Sequence, residues 1–346
     1  FFEDCPFSKP VDKLAAFSMN TDSTPVVISV PESAAPDRAD KVLTGLLAPR
    51  SRAQVQRLFD DGLVFLLPDA SRPLTRKHKL NPGDTLRIFL PPPPEILPSP
   101  TDIPLEILFE DAHVLAVNKA SGTVTHPGAA TGKDTLVHAA LHHTALAPSD
   151  DPSRPGIVHR LDKDTSGVIL LAKTPEALAN LINQFSERKL EKQYLALVHG
   201  RPTLLSGSIR VPLGRHPTNR VRMSVREEEG GRPARTDWAV EERFGSCATR
   251  LRCWLHTGRT HQIRVHLAHI GHPLLGDATY TLKNIPPNRA LPPAARVMLH
   301  AERISFFHPI TNLPLRILAP IPSDFLDVQE ELRSRFGGDR IMPTPT

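Results

Sequence analysis

The chain has 346 residues, of which 40% are hydrophobic and 23% charged, values typical of a globular protein with room for two domains. No apolar run reaches the roughly 18 residues that a membrane-spanning helix needs, so we expect no membrane association. The formal net charge of +5 fits a polyanionic partner, but many unrelated proteins have a similar charge. The three cysteines form no CxxC pair, which argues against a disulfide framework and predicts a reducing, cytoplasmic location.

A proline-rich stretch divides the sequence. It begins with the prolines at 91–94 and runs to Pro104, a density that neither a helix nor a central strand tolerates. Such a segment favours polyproline II and would span about 40 Å, at about 3.1 Å per residue. The predicted order is therefore a disordered segment (1–25), a small α/β domain (26–90), this linker (91–104), a larger domain (105–336) and a C-terminal tail (337–346).

The small domain is predicted to contain two helices between short strands. The first helix opens at Asp37, and the second is capped by Ser51, which would form a capping box with Gln54. Gly62 ends the second helix because glycine adopts the left-handed conformation without a steric penalty. Apolar runs bounded by turn signals predict strands over residues 26–30, 63–67 and 85–90, with the first at a sheet edge.

Basic residues are frequent in this small domain. A cluster of this kind is the usual electrostatic signature of phosphate contacts, and a solvated surface is the alternative. The candidates for phosphate contact are Arg38, Lys41, Arg50, Arg52, Arg57 and Lys77, with Arg72, Arg76 and Lys79 beside them.

Residues 105–336 mix strand and helix patterns without regular alternation. This favours an α+β fold, with a mixed, largely antiparallel sheet and flanking helices, over a doubly wound parallel one. The apolar run 168–172 predicts a buried strand, and segment 175–188 an amphipathic helix with Pro175 in its first turn. Further strands are predicted over 105–109, 113–118, 193–199, 234–243, 249–256, 301–307 and 314–319, and further helices over 135–143, 260–270 and 323–336.

Charged residues are concentrated directly before the buried strand. Asp162 lies with His159 and Arg160 in a loop that ends in Thr-Ser-Gly at residues 165–167. A buried strand holds the adjoining loop rigidly, which suits a catalytic site. A solvated turn is the alternative, and the loop pattern alone does not choose between them.

A second polar segment surrounds the start of the helix predicted over 260–270. Ile263 and Leu267 are spaced to face the core, so Arg264 projects about 100° away from Ile263 around the helix. An exposed basic helix would have the same pattern. The spacings of His266 with His269 and of His138 with His142 are compatible with zinc, but no HExxH motif or cysteine pair accompanies them.

Residues 105–320 resemble the RluA/RluD family of RNA pseudouridine synthases. The sequence His159-Arg160-Leu161-Asp162, continuing to 165–167, matches the catalytic loop of that family. The Lys192-x-Tyr194 strand and residues 258–266 match its second and third motifs, and 117–119, 126–128 and 271–277 match supporting blocks. Residues 37–90 resemble the S4 RNA-binding domain of RluD-like members, except that residues 65–69 replace the usual Val-Asn-Gly turn.

The resemblance implies an isomerisation of uridine to pseudouridine without cofactor or metal. It implies Asp162 as the catalytic carboxylate and Arg264 as its cationic partner. Tyr194 would stack on the target base and assist in removing the C5 proton, although a lone strand tyrosine is more often a core residue. Arg160 would help to extrude the base, because a stacked base cannot reach a carboxylate. The remaining implied RNA-binding residues are His159, Arg259, His261 and Gln262.

The partner implied by the resemblance is structured RNA. No membrane and no protein partner is expected, and the enzyme is expected to be a monomer. The S4-like domain and residues 126–128 favour large-subunit (23S) ribosomal RNA, free or in a pre-50S particle, and transfer RNA is the runner-up. Two other functions stay open. One is a non-catalytic RNA-binding or ribosome-assembly protein, against which the presence of Asp162, Tyr194 and Arg264 argues. The other is a metallohydrolase that uses the histidines.

Overall fold

The computed structural model describes residues 25–47, 52–70, 72–90, 98–128, 131–219, 222–227, 230–281 and 291–341. The chain divides into two compact units, Phe1–Glu95 and Ile96–Thr346. None of the helices in these ranges is long and apolar enough to cross a bilayer.

The N-terminal unit folds around a three-stranded antiparallel sheet with the strand order β1-β5-β3. Its elements are β1 (Pro25–Ser29), β2 (Asp37–Arg38), α1 (Ala39–Leu46), α2 (Arg52–Asp60), β3 (Val64–Leu67), β4 (Lys79–Leu80) and β5 (Thr85–Phe89). Leu43 of α1 and Val55 of α2 are fully buried with Ile88 of β5. Apolar residues at helical and strand spacing thus close one small core.

Two predictions for this unit need correction. The first helix begins at Ala39 rather than at Asp37, because Asp37 and Arg38 pair with Leu80 and Lys79 as a short antiparallel ladder. Pro25, predicted to be disordered, is the first residue of β1. The three predicted strands are confirmed, and β1 pairs only with β5, at the predicted edge of the sheet. The capping box of Ser51 and Gln54 lies outside the described side chains, as does most of the segment 1–25.

The second unit is built on a ten-stranded mixed sheet, which confirms the predicted α+β fold. Its elements are β6 (Glu106–Glu110), β7 (Val114–Lys119), α3 (Leu136–His143), β8 (Ser166–Ala172), α4 (Pro175–Ser186), β9 (Glu191–His199), β10 (Ser206–Ile209), β11 (Leu213–Arg215), β12 (Met223–Val225), β13 (Thr236–Phe244), β14 (Ala248–Leu255), α5 (Gln262–His269), β15 (Leu299–Phe307), β16 (Pro314–Leu318), α6 (Ser323–Phe336) and β17 (Asp339–Arg340). The main strand order is β10-β13-β14-β9-β15-β8-β7-β6, with β16 on β15 and β17 on β13.

Strand β8 lies at the centre of this unit and is buried along its whole length. Ile169 and Leu171 point into the core that contains α3 and α5, whereas Val168 and Leu170 point into the core that contains α4. This two-sided burial explains the continuous apolar run. β8 is parallel to β15, and its other neighbour, β7, is antiparallel. The loop that precedes β8 is therefore anchored in the best-packed part of the sheet.

Several short strands of the structure were not predicted from the sequence. β10, β11 and β12 are only three or four residues long, too short for a periodic pattern to emerge. In the predicted C-terminal tail, Asp339 and Arg340 form β17 on the edge of β13. The helix predicted over 260–270 is shorter, because it begins at Gln262 after His261 takes a left-handed φ of 55°.

Candidate active site

A cleft of about 430 Å³ opens where the loop before β8 meets β9 and the start of α5. The three matched motifs contribute Asp162, Tyr194 and Arg264 to its wall. Asp162 is the only carboxylate among the described residues that line the cleft. Its side chain is 19% exposed, so a substrate in the cleft can reach it.

Arg264 connects Asp162 to a second, buried carboxylate. Its Nη1 lies 3.5 Å from Oδ2 of Asp162, as the resemblance implied. Its Nε and Nη2 donate to the two carboxylate oxygens of Asp277 at 2.7 and 2.9 Å. Burial lowers the pKa of Arg264, but the hydrogen bonds and charge of Asp277 outweigh it and hold that pKa above its usual value. The guanidinium is thus oriented by Asp277 and presents its remaining edge to Asp162.

Asp277 is the last residue of the matched block 271–277, and the resemblance implies no role for it. It is buried, and its Oδ1 also accepts from the backbone N–H groups of Thr279 and Tyr280, at 2.9 and 3.1 Å. Burial raises the pKa of Asp277, but hydrogen bonding to Arg264 outweighs it and keeps that pKa below its usual value. A carboxylate thirteen residues from Arg264 on another element could not be assigned to it by spacing.

His261 stands between Asp162 and Tyr280. Its Nδ1 lies 2.7 Å from the Tyr280 hydroxyl, and its Nε2 lies 4.0 Å from Oδ2 of Asp162. The backbone N–H of Met223 donates to the same hydroxyl at 2.9 Å. An arrangement in which Tyr280 donates to Nδ1 leaves the proton of His261 on Nε2, directed toward Asp162. Burial lowers the pKa of His261, which favours the neutral ring.

Tyr194 lies on β9 with its side chain almost fully buried at the floor of the cleft. Burial, and then the negative charge of Asp162, raises the pKa of Tyr194 well above its usual value. The phenol is therefore protonated at neutral pH. This position suits contact with a base, whereas removal of the C5 proton would need a prior loss of the phenolic proton.

The rest of the cleft is strongly basic. Arg160 is exposed at its rim, and Arg188, Lys192 and Arg259 also line it. Burial, and then the neighbouring charge of Arg188, lowers the pKa of Lys192 to about 8. With Arg264, five cations surround a single carboxylate, and they would attract the phosphates of a nucleic acid.

Two predicted RNA-binding side chains are occupied by the protein itself. Nε2 of His159 accepts from the backbone N–H of Leu170 at 3.0 Å, and the ring stacks on Phe185. The amide of Gln262 makes four hydrogen bonds, which saturate its capacity. Both residues hold the walls of the cleft in place, and in this structure the Gln262 amide has no hydrogen-bonding group left for RNA.

In the N-terminal unit, ion pairs separate the basic candidates into two groups. Arg38 and Arg52 donate to buried Asp40 at 3.0 and 3.1 Å, and Lys41 donates to Asp37 at 2.6 Å. Burial raises the pKa of Asp40, but its hydrogen bonds outweigh that effect and lower it to about 2. Arg57 and Lys77 are exposed and make no ion pair within the described ranges. Arg50 lies outside those ranges.

One histidine of each spacing compatible with zinc, His266 and His138, is hydrogen-bonded to protein groups. His266 Nδ1 lies 2.9 Å from the Thr236 hydroxyl, and its Nε2 donates to the carbonyl of Val211 at 3.1 Å. His138 Nδ1 lies 2.7 Å from the Thr135 hydroxyl. The described residues contain no group of three or more histidine, cysteine or acidic side chains that could hold a metal ion.

Comparisons with known proteins agree with the motifs. The family model described as RNA pseudouridylate synthase matches residues 113–269. A protein of Xylella fastidiosa called ribosomal large subunit pseudouridine synthase D is 40% identical over 331 residues, which cover 93% of this chain and 95% of that protein. Its namesake from Escherichia coli is 37% identical over 321 residues, which cover 89% and 94%.

Solved structures give the same picture. The structure of human RNA pseudouridylate synthase domain containing 1 has a TM-score of 0.54 and 25% identity, and the similarity covers 70% of this chain and 92% of that one. These matches cover most of this chain and most of each relative, and they place the chain among pseudouridine synthases rather than among metallohydrolases. The chain belongs to the RNA pseudouridine synthases of the RluA/RluD type, which are isomerases.

Proposed function

We propose that this enzyme isomerises uridines in large-subunit ribosomal RNA. The proposed substrate rests on the match to a relative that is called a ribosomal large subunit pseudouridine synthase. The match covers 95% of that relative. The single carboxylate in a basic cleft supports the same conclusion, because a phosphate-rich substrate would be drawn in by the cations. We further propose that the protein acts as a cytoplasmic monomer and requires no cofactor.

The proposed reaction breaks the N1–C1′ bond of uridine, rotates the detached base and joins C5 to C1′. C5 then loses its proton and N1 gains one, so the product is an isomer of the substrate. Asp162 would be the ionised carboxylate at the junction of sugar and base, where it either attacks C1′ or assists elimination to a glycal. Arg264 at 3.5 Å stabilises that negative charge, and Asp277 keeps the guanidinium from rotating away. A fixed cation next to a reacting carboxylate is an arrangement that needs no reorganisation during the reaction.

The remaining side chains would handle the base. Tyr194 at the floor of the cleft would contact the uracil ring. Arg160 at the rim would contact the displaced strand during base extrusion, and Arg259 and His261 would bind the nucleotide from the α5 side. His159 and Gln262 would act indirectly, by holding the walls. The N-terminal unit would be an S4-like module joined through the proline-rich segment 91–104.

The test of this proposal is a comparison of the wild type with Asp162→Asn on defined transcripts. Pseudouridines are mapped after incubation with fragments of large-subunit ribosomal RNA and with a set of transfer RNAs. We expect modification of the ribosomal fragment by the wild type and none by the variant, whose amide keeps the shape of the carboxylate but not its charge. RNA binding by the variant should stay within about twofold, since no phosphate contact is removed.

Three outcomes would contradict parts of the proposal. Modification of transfer RNA alone would replace the proposed substrate. Appreciable turnover by Asp162→Asn would remove Asp162 from its role. Binding without turnover by the wild type would return the chain to the class of non-catalytic RNA-binding proteins.

A further inference from the structure

Lys119, at the end of β7, is one of the largest fully buried side chains of the described structure, with 1% of its surface exposed. It makes no ion pair with a carboxylate in the described ranges. Its Nζ donates instead to the carbonyl oxygens of Ala120, Thr123 and Lys163, at 3.0, 2.9 and 3.0 Å. Burying a charge that only backbone carbonyls hold costs free energy, so such a lysine calls for an explanation.

The third of these carbonyls belongs to the residue that follows Asp162. The same loop is held at two further carbonyls: the Thr125 hydroxyl donates to Leu161 at 2.9 Å, and the Ser121 hydroxyl donates to Asp164 at 2.9 Å. The backbone on both sides of Asp162 is therefore fixed from the segment that follows β7. Among these donors only Lys119 carries a charge.

The three carbonyl acceptors favour the charged form of Lys119. An ammonium group has three N–H donors, whereas a neutral amine has two, so only the charged form satisfies the complete set. The charged groups that face it are Asp162, Asp164 and Arg296, and Arg296 also donates to the carbonyl of Asp164 at 3.3 Å. Loss of the proton would remove one of the three hydrogen bonds of Lys119 and weaken its hold on the loop beside Asp162, where the Lys163 carbonyl also accepts from the backbone N–H of Gly122 at 2.9 Å.

We propose that Lys119 is a positioning residue of the active site, whose ammonium group holds the loop of Asp162 in its reactive geometry. This inference rests on the proposed role of Asp162. Lys119 does not touch the substrate and acts through the carbonyl of Lys163. A consequence is that activity requires the charged form of a buried lysine.

The pH dependence follows from the same surroundings. Burial lowers the pKa of Lys119 to about 7, against the opposing effect of Asp162 and Asp164. The turnover number should therefore fall as pH rises above about 7. Unfolding would not explain this fall. In the unfolded chain the pKa returns to about 10.4, so between these two values the unfolded state binds more protons and the contribution of Lys119 to stability rises with pH.

The experiment compares Lys119→Met, Lys119→Arg and the control Lys133→Met, which removes an exposed lysine of the same unit. Turnover number, KM for a ribosomal RNA fragment and thermal unfolding are measured between pH 6 and 9. For Lys119→Met we expect a turnover number about 100-fold lower with KM within about twofold, the cost of a reacting group misplaced by roughly 1 Å. The control should match the wild type.

Lys119→Arg separates positioning from simple structural support. A guanidinium stays charged across this range, so the variant should keep partial activity and lose the alkaline fall. Lys192, whose pKa burial lowers to about 8, lines the same cleft and is unchanged in this variant, so a fall centred near pH 8 is assigned to Lys192. A fall centred near pH 7 that persists in Lys119→Arg would overturn the proposal, as would a Lys119→Met enzyme with the wild-type turnover number.

The outcomes also separate this proposal from the proposed function. If Lys119→Met does not fold, the pH profiles of the turnover number for the wild type and for Lys119→Arg still test the proposal. An inactive wild type would refute the proposed function, whereas an active wild type with a flat profile up to pH 9 would refute only the role of Lys119.

Discussion

Arg264 and Asp277 form a buried, two-pronged ion pair, with N–O distances of 2.7 and 2.9 Å, beside the cleft that contains Asp162. The pair places Nη1 of Arg264 3.5 Å from Oδ2 of Asp162, the proposed catalytic carboxylate. Removing the charge of Asp277 should therefore affect both stability and chemistry, because it leaves a buried guanidinium with one fewer anionic partner.

For Asp277→Asn we expect a turnover number lower by about 10- to 100-fold, since Arg264 can then rotate away from Asp162. The matched control is Glu242→Gln. It disrupts a bidentate pair with Arg333, at 2.6 and 2.8 Å, between β13 and α6, in which the carboxylate is buried like that of Asp277. Both variants should unfold at lower temperature. Equal turnover numbers for the two variants would show that the Arg264 pair serves stability alone.

Gly167 is expected to be indispensable for the central sheet. Its φ is 116°, and a Cβ atom there would lie 2.2 Å from the carbonyl oxygen of Ala301 on the parallel strand β15. Gly167→Ala should lower the free energy of unfolding by about 2–4 kcal/mol, from the combined cost of overpacking and backbone strain. The control is Gly271→Ala, which has φ 87° but open space around the added atom and should cost only about 1–2 kcal/mol. Urea unfolding of the two variants measures the difference, and equal losses would contradict the clash.

The N-terminal unit is expected to bind phosphates through Arg57 and Lys77. The double variant Arg57→Ala/Lys77→Ala should lower the slope of log K against log salt by about 0.7–0.9 for each contact removed. Binding to a ribosomal RNA fragment is measured across a salt series, with Lys133→Ala as a control that changes charge outside this unit. An unchanged slope would mean that these two cations do not contact the RNA.

Turnover is expected to survive chelators. Both ring nitrogens of His266 are hydrogen-bonded to protein atoms, and burial lowers its pKa to about 4, so the ring is neutral without a metal. Activity is measured after EDTA treatment with magnesium restored, so that the chelator does not act through the folding of the RNA. A loss that zinc reverses and magnesium does not would contradict the prediction.

The elements with local signals could be predicted from the sequence. The apolar run 168–172 and the helix after Pro175 follow from periodicity and from proline at a first helical turn, and both are confirmed. The ordered motifs identified the family and singled out Asp162, Tyr194 and Arg264, which the fold brings into one cleft. Such signals are read from neighbours a few residues apart, so they need no knowledge of the tertiary structure.

The side chains that hold Asp162, Tyr194 and Arg264 in position could not be predicted without the fold. Lys119 reaches the carbonyl of Lys163 because β7 and β8 are paired, and Asp277 reaches Arg264 because the chain after α5 turns back on the helix. Gln262 stands in the matched motif, yet its amide is saturated by the protein. The free energy of a buried charge or amide depends on every group that packs around it. That set is assembled by chain segments far apart in sequence, and local periodicity does not record it.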